Sequence, residues 1–423
     1  MSFSAPAYVS LFLPLAVMLS ALLRRSPTYK PWHSLLGLAF LGLSGWQQPL
    51  VFLALVAGNV LAGRLPGRAR RVAAVIWNVG AVALSRLSLP VALPQGISYA
   101  AFQALSWHLD DERSGAMDFA FYLLFFPKQP MGPLARYQEL AAQKPEPAHT
   151  WDDAEQGLSR FAWGLFKKVL IADQLAQVTQ AVYHSPAADR SPALAALGLA
   201  VFPLQLYMDF SGYTDMALGA ARAVGFALPD NFRAPLRADS LRDFWRRWHI
   251  TLGAWLRDYV YIPLGGSRQG AGRTAVNTGV VYLLMALWHG AGWGFVLWGL
   301  WNALILTLER HAWKPETWPL PVRRLYVLAV VAIGFVPFAG AVDVGVALGA
   351  FAGTGAATLA LAQLRPMVLL ALLAAVVIVA LEGRGLAARL PVWVRRMLAL
   401  VLLGVSLLAV YGATRIPFLY AAY

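Results

Sequence analysis

A chain of 423 residues would on length alone suggest two or three soluble domains, but 59% of its residues are apolar and only 13% charged. A soluble fold averages roughly 45–50% apolar and about 25% charged residues, so a water-exposed surface could not be covered and a polytopic membrane protein is implied. Lys and Arg outnumber Asp and Glu 35 to 21, a net charge of +14, which in such a chain reads as basic cytoplasmic loops beside anionic lipid and not as a nucleic-acid surface.

The opening run, residues 2–23, has no basic segment ahead of it and is followed by Arg24 and Arg25. A retained first span fits this better than a cleaved signal peptide. The uncharged run 31–63 exceeds the roughly 20 residues that one span needs, and Gln47, Gln48 and Pro49 divide it into two helices joined by a turn. That pairing puts Arg24, Arg25 and Lys30 on the same side as Arg64, Arg68, Arg70 and Arg71, cytoplasmic by the positive-inside rule, with the N-terminus outside. Residues 72–89 and 95–109 are weaker spans.

Residues 110–170 mix a charged turn, a short apolar run ending at Pro127 and a basic helix around Lys167 and Lys168. Such short pieces predict re-entrant or interfacial helices. Ser191 and Pro192 open a span over 191–208 as N-cap and first helical residue. Residues 274–308 are uncharged but interrupted by Gly290, Gly292, Gly294 and Gly299, and the last third reads as the runs 325–342, 344–364, 366–381 and 397–414. The chain reads as one membrane domain, 1–423, without internal repeats. Chemistry is expected in its polar-rich middle, residues 110–310.

Three constellations stand out there. Leu241, Trp245, Trp248, Leu252, Trp255 and Tyr259 recur at steps of three and four and predict one apolar helical stripe. Arg242, Arg246 and His249 line an adjacent face, and Asp243 can pair with Arg247 one turn on. This is either an interfacial amphipathic helix with its arginines at lipid phosphates or a grip on an anionic acyl donor. His289 is the only ionisable side chain besides Tyr282 in its uncharged run. Within a membrane such a group is a functional candidate by default, and an imidazole near pKa ~6.5 can take a proton from a hydroxyl and return it. The segment Tyr207–Asp215 holds Asp209, Ser211 and Asp215; its two carboxylates could form a general acid–base pair, but six positions apart they do not share one helix face cleanly, and capping or pairing with Arg is their expected task. No cysteine is present, which removes thiolate metal sites and a thioester acyl-enzyme, and no histidine has a metal-ligand spacing. No nucleophile elbow, P-loop or dinucleotide fingerprint is found.

Taken together, several segments resemble the membrane-bound O-acyltransferase family and, within it, its alginate O-acetyltransferase branch. They are Leu124–Pro127 with Gly132–Pro133, Gly164–Asp173, Tyr207–Asp215, Asn231–Phe232, Phe244–Ile250, Trp255–Tyr259 with Ile262–Gly266, Leu287–Ala291 and the closing Ile416–Tyr420. The chain departs from the branch at Lys128–Met131, where an uncharged turn is usual. The resemblance implies an all-α polytopic fold of about eleven membrane-spanning helices, with re-entrant and interfacial helices around a central tunnel. It further implies His289 as the catalytic histidine and His249 as a second polar position. Arg242, Trp245, Arg246, Arg247 and Trp248, with Asn231, Asp209, Ser211 and Trp288, are the candidate donor- and substrate-binding residues.

The expected reaction carries an acetyl group from a cytoplasmic donor, acetyl-CoA, across the inner membrane for O-acetylation of an envelope polysaccharide. The expected partners are membrane lipid, the acyl donor, the polysaccharide and a periplasmic or membrane-anchored serine-nucleophile (SGNH-type) acetyltransferase, with no bound metal or permanent cofactor. D-Alanyl transfer to teichoic acid is the alternative within the fold. A polysaccharide transporter is the alternative outside it, though that reading expects repeated halves and leaves His289 without a task.

Overall fold

The computed structural model describes residues 2–23, 25–85, 96–141, 143, 151–183, 186, 189–290, 292–339, 349, 352–355, 358–385 and 389–412. Outside them lie Arg24, residues 86–89, residue 95, His149, His184, Ala291, Ile416–Tyr420 and most of the run 344–364. Among the described residues the regular structure is helical, with one isolated antiparallel bridge between Phe232 and Trp248.

The run 31–63 is indeed two helices, Tyr29–Gly42 and Gln47–Gly63. The break falls at residues 43–46, ahead of the glutamines, where Gly45 takes φ +148°. Pro49 sits in the first turn of the second helix, where its missing N–H costs nothing. The weaker spans are the helices Gly67–Ser85 and Ile97–Leu109.

The expected span 191–208 continues as the helix Pro192–Ala223, carrying Tyr207–Asp215 inside it rather than at its end. That helix, Leu320–Pro337 and Val392–Gly412 are long and apolar enough to cross a membrane, and Tyr8–Leu23, Gln47–Gly63 and Pro366–Leu381 are shorter apolar helices. At ~1.5 Å of rise per residue, the 14 residues of Tyr29–Gly42 reach only ~21 Å, short of a ~30 Å hydrocarbon core.

Packing divides the chain into two compact units. The first comprises Met1–Leu165, Tyr213–Asp230 and Arg396–Gly412. Its core stacks Phe3 on Tyr213 at 5.0 Å and on Tyr8 at 4.8 Å. Two glycines let backbones meet: a Cβ on Gly157 would lie 2.6 Å from the Gly219 carbonyl oxygen, and one on Gly219 2.5 Å from that of Gly157. Arg160 bridges Asp215 at 2.9 Å and Asp230 at 3.2 Å, the pairing with Arg expected for Asp215. Lys128, the departure from the branch pattern, is buried and donates to Gln103 Oε1 at 2.6 Å and to the Tyr122 carbonyl. Arg70, grouped by its sequence neighbours with cytoplasmic loop charges, is instead buried. It donates to His108 Nδ1 at 3.1 Å and Asp111 at 2.7 Å, because its helical position faces inward.

The second unit comprises Phe166–Gly212, Asn231–Arg395 and Ala413–Tyr423. Lys168 lies in it between Asp209 at 2.7 Å and Asp173 at 2.8 Å, and Lys167 donates to Ser211 at 3.0 Å. A buried ammonium needs such compensation, since uncompensated charge is costly away from water.

Candidate active site

The second unit holds a cavity of about 540 Å³ whose wall includes both His249 and His289. Each histidine reaches it through a break in a helix. The stripe 241–259 is not one helix: Leu241–Arg247 ends, Trp248 is extended, His249 takes φ 47° and ψ 52°, and Ile250–Leu256 begins anew. Apolar periodicity continues across the break, so the sequence alone reads as a continuous stripe. What interrupts it is the distant segment Asn231–Arg233: Arg233 N–H donates to the Arg247 carbonyl and Ile250 N–H to the Asn231 carbonyl, each at 3.0 Å. Trp248 is held in an aromatic cluster, stacked on Phe244 at 5.4 Å and edge-on to Phe232 at 5.1 Å. A left-handed backbone at a non-glycine residue costs of order 1 kcal/mol and persists where surrounding contacts impose it, often at functional sites.

The helix Leu241–Arg247 is docked at two points on the helix Trp293–His311. Glu309 accepts from the N–H groups of Leu241 at 2.6 Å and Arg242 at 3.1 Å, which satisfies first-turn donors that a helix cannot satisfy itself. One turn on, Trp245 Nε1 donates to Asn302 Oδ1 at 3.1 Å. Arg242 and Arg246 then line the cavity, together with Arg257 and Arg310. Among the described residues of that wall none is Asp or Glu. The cavity is therefore cationic and suited to phosphate oxygens, which guanidinium groups grip in bidentate fashion.

His289 is the last residue of the helix Gly270–His289 and is buried. Its ring stacks on Phe295 at 5.9 Å and meets Trp298 edge-on at 5.6 Å. A Cβ on Gly290 would lie 2.6 Å from the Phe295 ring, so glycine there is what lets the chain turn back and lay Phe295 against the imidazole. The helix pair on either side is equally close, for a Cβ on Gly299 would lie 2.7 Å from the Tyr282 carbonyl oxygen.

His249 packs on Phe210 at 4.9 Å and near Trp288 at 6.3 Å. It lies outside any span, between two seven-residue helices, and burial pushes its imidazole down to about 3. It is neutral at physiological pH.

Of the residues singled out in the sequence, Arg242, Trp245, Arg246, Trp248, His249 and His289 share the cavity wall. Arg247 does not line it and bridges Asp243 at 2.8 Å, the i,i+4 pairing its spacing predicts. Asp209 and Ser211 do not line it either, being engaged by Lys168 and Lys167. Trp288 and Asn231 stand behind the wall, against His249. Arg310 and Glu309 escaped the sequence reading. Their only signal was a Glu-Arg-His ending to an apolar helix, which does not say which helix they face.

Comparison with known proteins bears on this arrangement. Residues 35–315 match the profile of MBOAT, the membrane-bound O-acyltransferase family. The chain is 38% identical over 307 residues to the probable alginate O-acetylase AlgI of Azotobacter vinelandii, covering 69% of this chain and 61% of that protein. It is 38% identical to the peptidoglycan O-acetyltransferase of Helicobacter pylori over 48% of this chain and 40% of that protein. With the teichoic acid D-alanyltransferase of Bacillus subtilis it shares 27% identity, over 58% of this chain and 68% of that protein. It therefore spans about three fifths of the Azotobacter protein. The matched stretch contains both histidines and all four cavity arginines, and the chain belongs to the membrane-bound O-acyltransferase family.

Proposed function

We propose that this chain is a multi-pass O-acetyltransferase of the inner membrane, with about eleven spans, acting as one membrane domain. It moves an acetyl group from cytoplasmic acetyl-CoA towards an envelope polysaccharide, with a serine-nucleophile partner completing the transfer. One observation carries the reading: two histidines share a single cavity whose described wall includes Arg242, Arg246 and Arg310 and no Asp or Glu, a fourth arginine there, Arg257, being paired with Asp258. Acyl transfer to a hydroxyl needs a proton acceptor and a way to hold a polyanionic donor, and this wall supplies both. His289 is the proposed catalytic histidine. Arg242 and Arg246, joined by Arg310, hold donor phosphates.

The identity to alginate and peptidoglycan acetylases supports an acetyl group and a glycan acceptor. The weaker identity to the Bacillus relative supports D-alanyl transfer as a second reading. Mass spectrometry of envelope polysaccharides from cells with and without the gene tests both. Loss of glycan O-acetyl groups, restored by the wild-type gene, is the expected result. Loss of D-alanyl esters instead would favour the second reading, and unchanged polymers would refute both.

The donor assignment has its own expected result. Arg246→Glu should weaken acetyl-CoA binding about 10–100-fold, the worth of a charge-assisted hydrogen bond. Arg246→Lys should weaken it less, because Lys keeps the charge but loses the fork. Equal donor affinity in all three proteins would return Arg246 to an interfacial role at lipid phosphates.

A further inference from the structure

Asn231 is buried, and its side-chain oxygen is a meeting point of three groups. Thr251 N–H approaches Oδ1 at 3.2 Å, the Thr251 hydroxyl at 2.9 Å and His249 Nδ1 at 3.2 Å. A backbone N–H can only donate, so the atom that it meets must be the amide oxygen, which settles the orientation of the amide on chemical grounds. An amide oxygen can only accept, so His249 Nδ1 must carry the proton. In a neutral imidazole that leaves the lone pair on Nε2. The main chain supports the same geometry, because the Asn231 carbonyl accepts from Ile250 N–H at 3.0 Å just beyond the left-handed turn at His249.

We infer that Asn231 is a positioning residue that holds His249 as the Nδ1–H tautomer, so that Nε2 serves as a proton acceptor in the transfer cavity. The inference rests on the acyl-transfer reading proposed above. As the acceptor hydroxyl oxygen forms its bond to the acyl carbon, Nε2 takes the hydroxyl proton. The carbon–sulfur bond of the thioester donor then breaks, and the leaving thiolate is returned that proton as a thiol. An amide keeps the resting ring uncharged, whereas a carboxylate in its place would accept from the same Nδ1–H but favour the imidazolium, and so raise the pH at which Nε2 is free to take a proton.

The other groups around His249 are consistent with a neutral ring. The cavity wall adds Arg242, Arg246, Arg257 and Arg310, the phenols of Tyr261 and Tyr282, and His289. Behind it, Arg233 follows Phe232, and Asp209 precedes Phe210 but is paired with Lys168 at 2.7 Å.

Three measurements test this, the first without any substrate. In the purified full-length protein labelled with ¹⁵N-histidine, and with His249→Gln to assign the signal, His249 should show a protonated Nδ1 and a bare Nε2 between pH 5 and 8. A protonated Nε2 would overturn the inference whatever the protein catalyses. The second is acyl transfer by single and double variants. Asn231→Leu and His249→Ala should each slow transfer about 10²-fold, and the double variant should be no slower than His249→Ala alone, because Asn231 acts only through that ring. Multiplying losses would overturn the inference and make Asn231 a general structural residue.

Asn231→Asp, which keeps the acceptor, should retain activity while moving the acid limb of the pH profile upward by about 1–3 units. A profile that superimposes on the native one would count against the inference. Absence of acyl transfer in the wild-type protein would overturn the functional reading and the proton-acceptor role with it, while the tautomer would stand or fall on the spectrum.

Discussion

His289→Ala is expected to lower acyl transfer by about 10²–10⁴-fold, the usual contribution of a positioned acid–base group. The imidazole sits at the end of the helix Gly270–His289, ringed by Trp288, Phe295 and Trp298, in the wall of the cationic cavity. None of those neighbours can accept and return a proton. The loss should appear in turnover while acetyl-CoA affinity changes little, since the arginines proposed to hold its phosphates are untouched. Expression, membrane insertion and thermal stability should survive, because truncating one side chain of this kind costs on the order of 1 kcal/mol. A well-folded His289→Ala protein that acetylates glycan at the native rate would remove His289 from the chemistry. Comparison with His249→Ala then separates the two histidines. A comparable loss would mean that both take part in proton transfer, and a small one that His249 only orients or binds.

The second large effect is structural and comes from Gly299. This residue lies where the helix Trp293–His311 crosses the helix Gly270–His289. A Cβ there would stand 2.7 Å from the Tyr282 carbonyl oxygen and 2.9 Å from the Ala286 Cβ, distances that real contacts do not tolerate. Neither obstacle is the tip of a flexible chain, so the helices themselves must part. Gly299→Ala should already destabilise the protein by about 1–3 kcal/mol, and Gly299→Leu by more, as expected for overpacking of a tight interface. Thermal unfolding in detergent measures this. Activity should fall with it, because Tyr282, His289 and Trp298 line the cavity from these two helices. A Gly299→Leu protein with native stability and activity would mean that the helices do not approach this closely.

Much of this was legible in the chain itself. An apolar fraction of 59% leaves too little polar surface for a soluble fold, and this determines the membrane class by composition alone. Helix periodicity and charge-free runs located Gln47–Gly63, Ile97–Leu109 and Pro366–Leu381 to within a few residues, because those signals are local. His289 stood out for the same reason, as an imidazole in a run of 35 uncharged residues between Arg273 and Glu309.

What the sequence could not decide were the positions governed by residues far away along the chain. The stripe from Leu241 to Tyr259 is periodic throughout, yet its helix stops at Arg247 because Asn231–Arg233 takes its hydrogen bonds. Arg246 and Arg247 are neighbours with the same chemistry, but one lines the cavity and the other turns to Asp243. Asp209 resembles a site residue in its motif, and a buried ammonium 41 residues earlier claims it. Arg310 joins the cavity only because Glu309 caps the helix Leu241–Arg247 and so brings the end of its own helix alongside. Local pattern determines which residues are helical and which face is apolar. Which polar group meets which depends on the packing of remote segments, because a buried donor or acceptor must find its partner wherever the fold brings one.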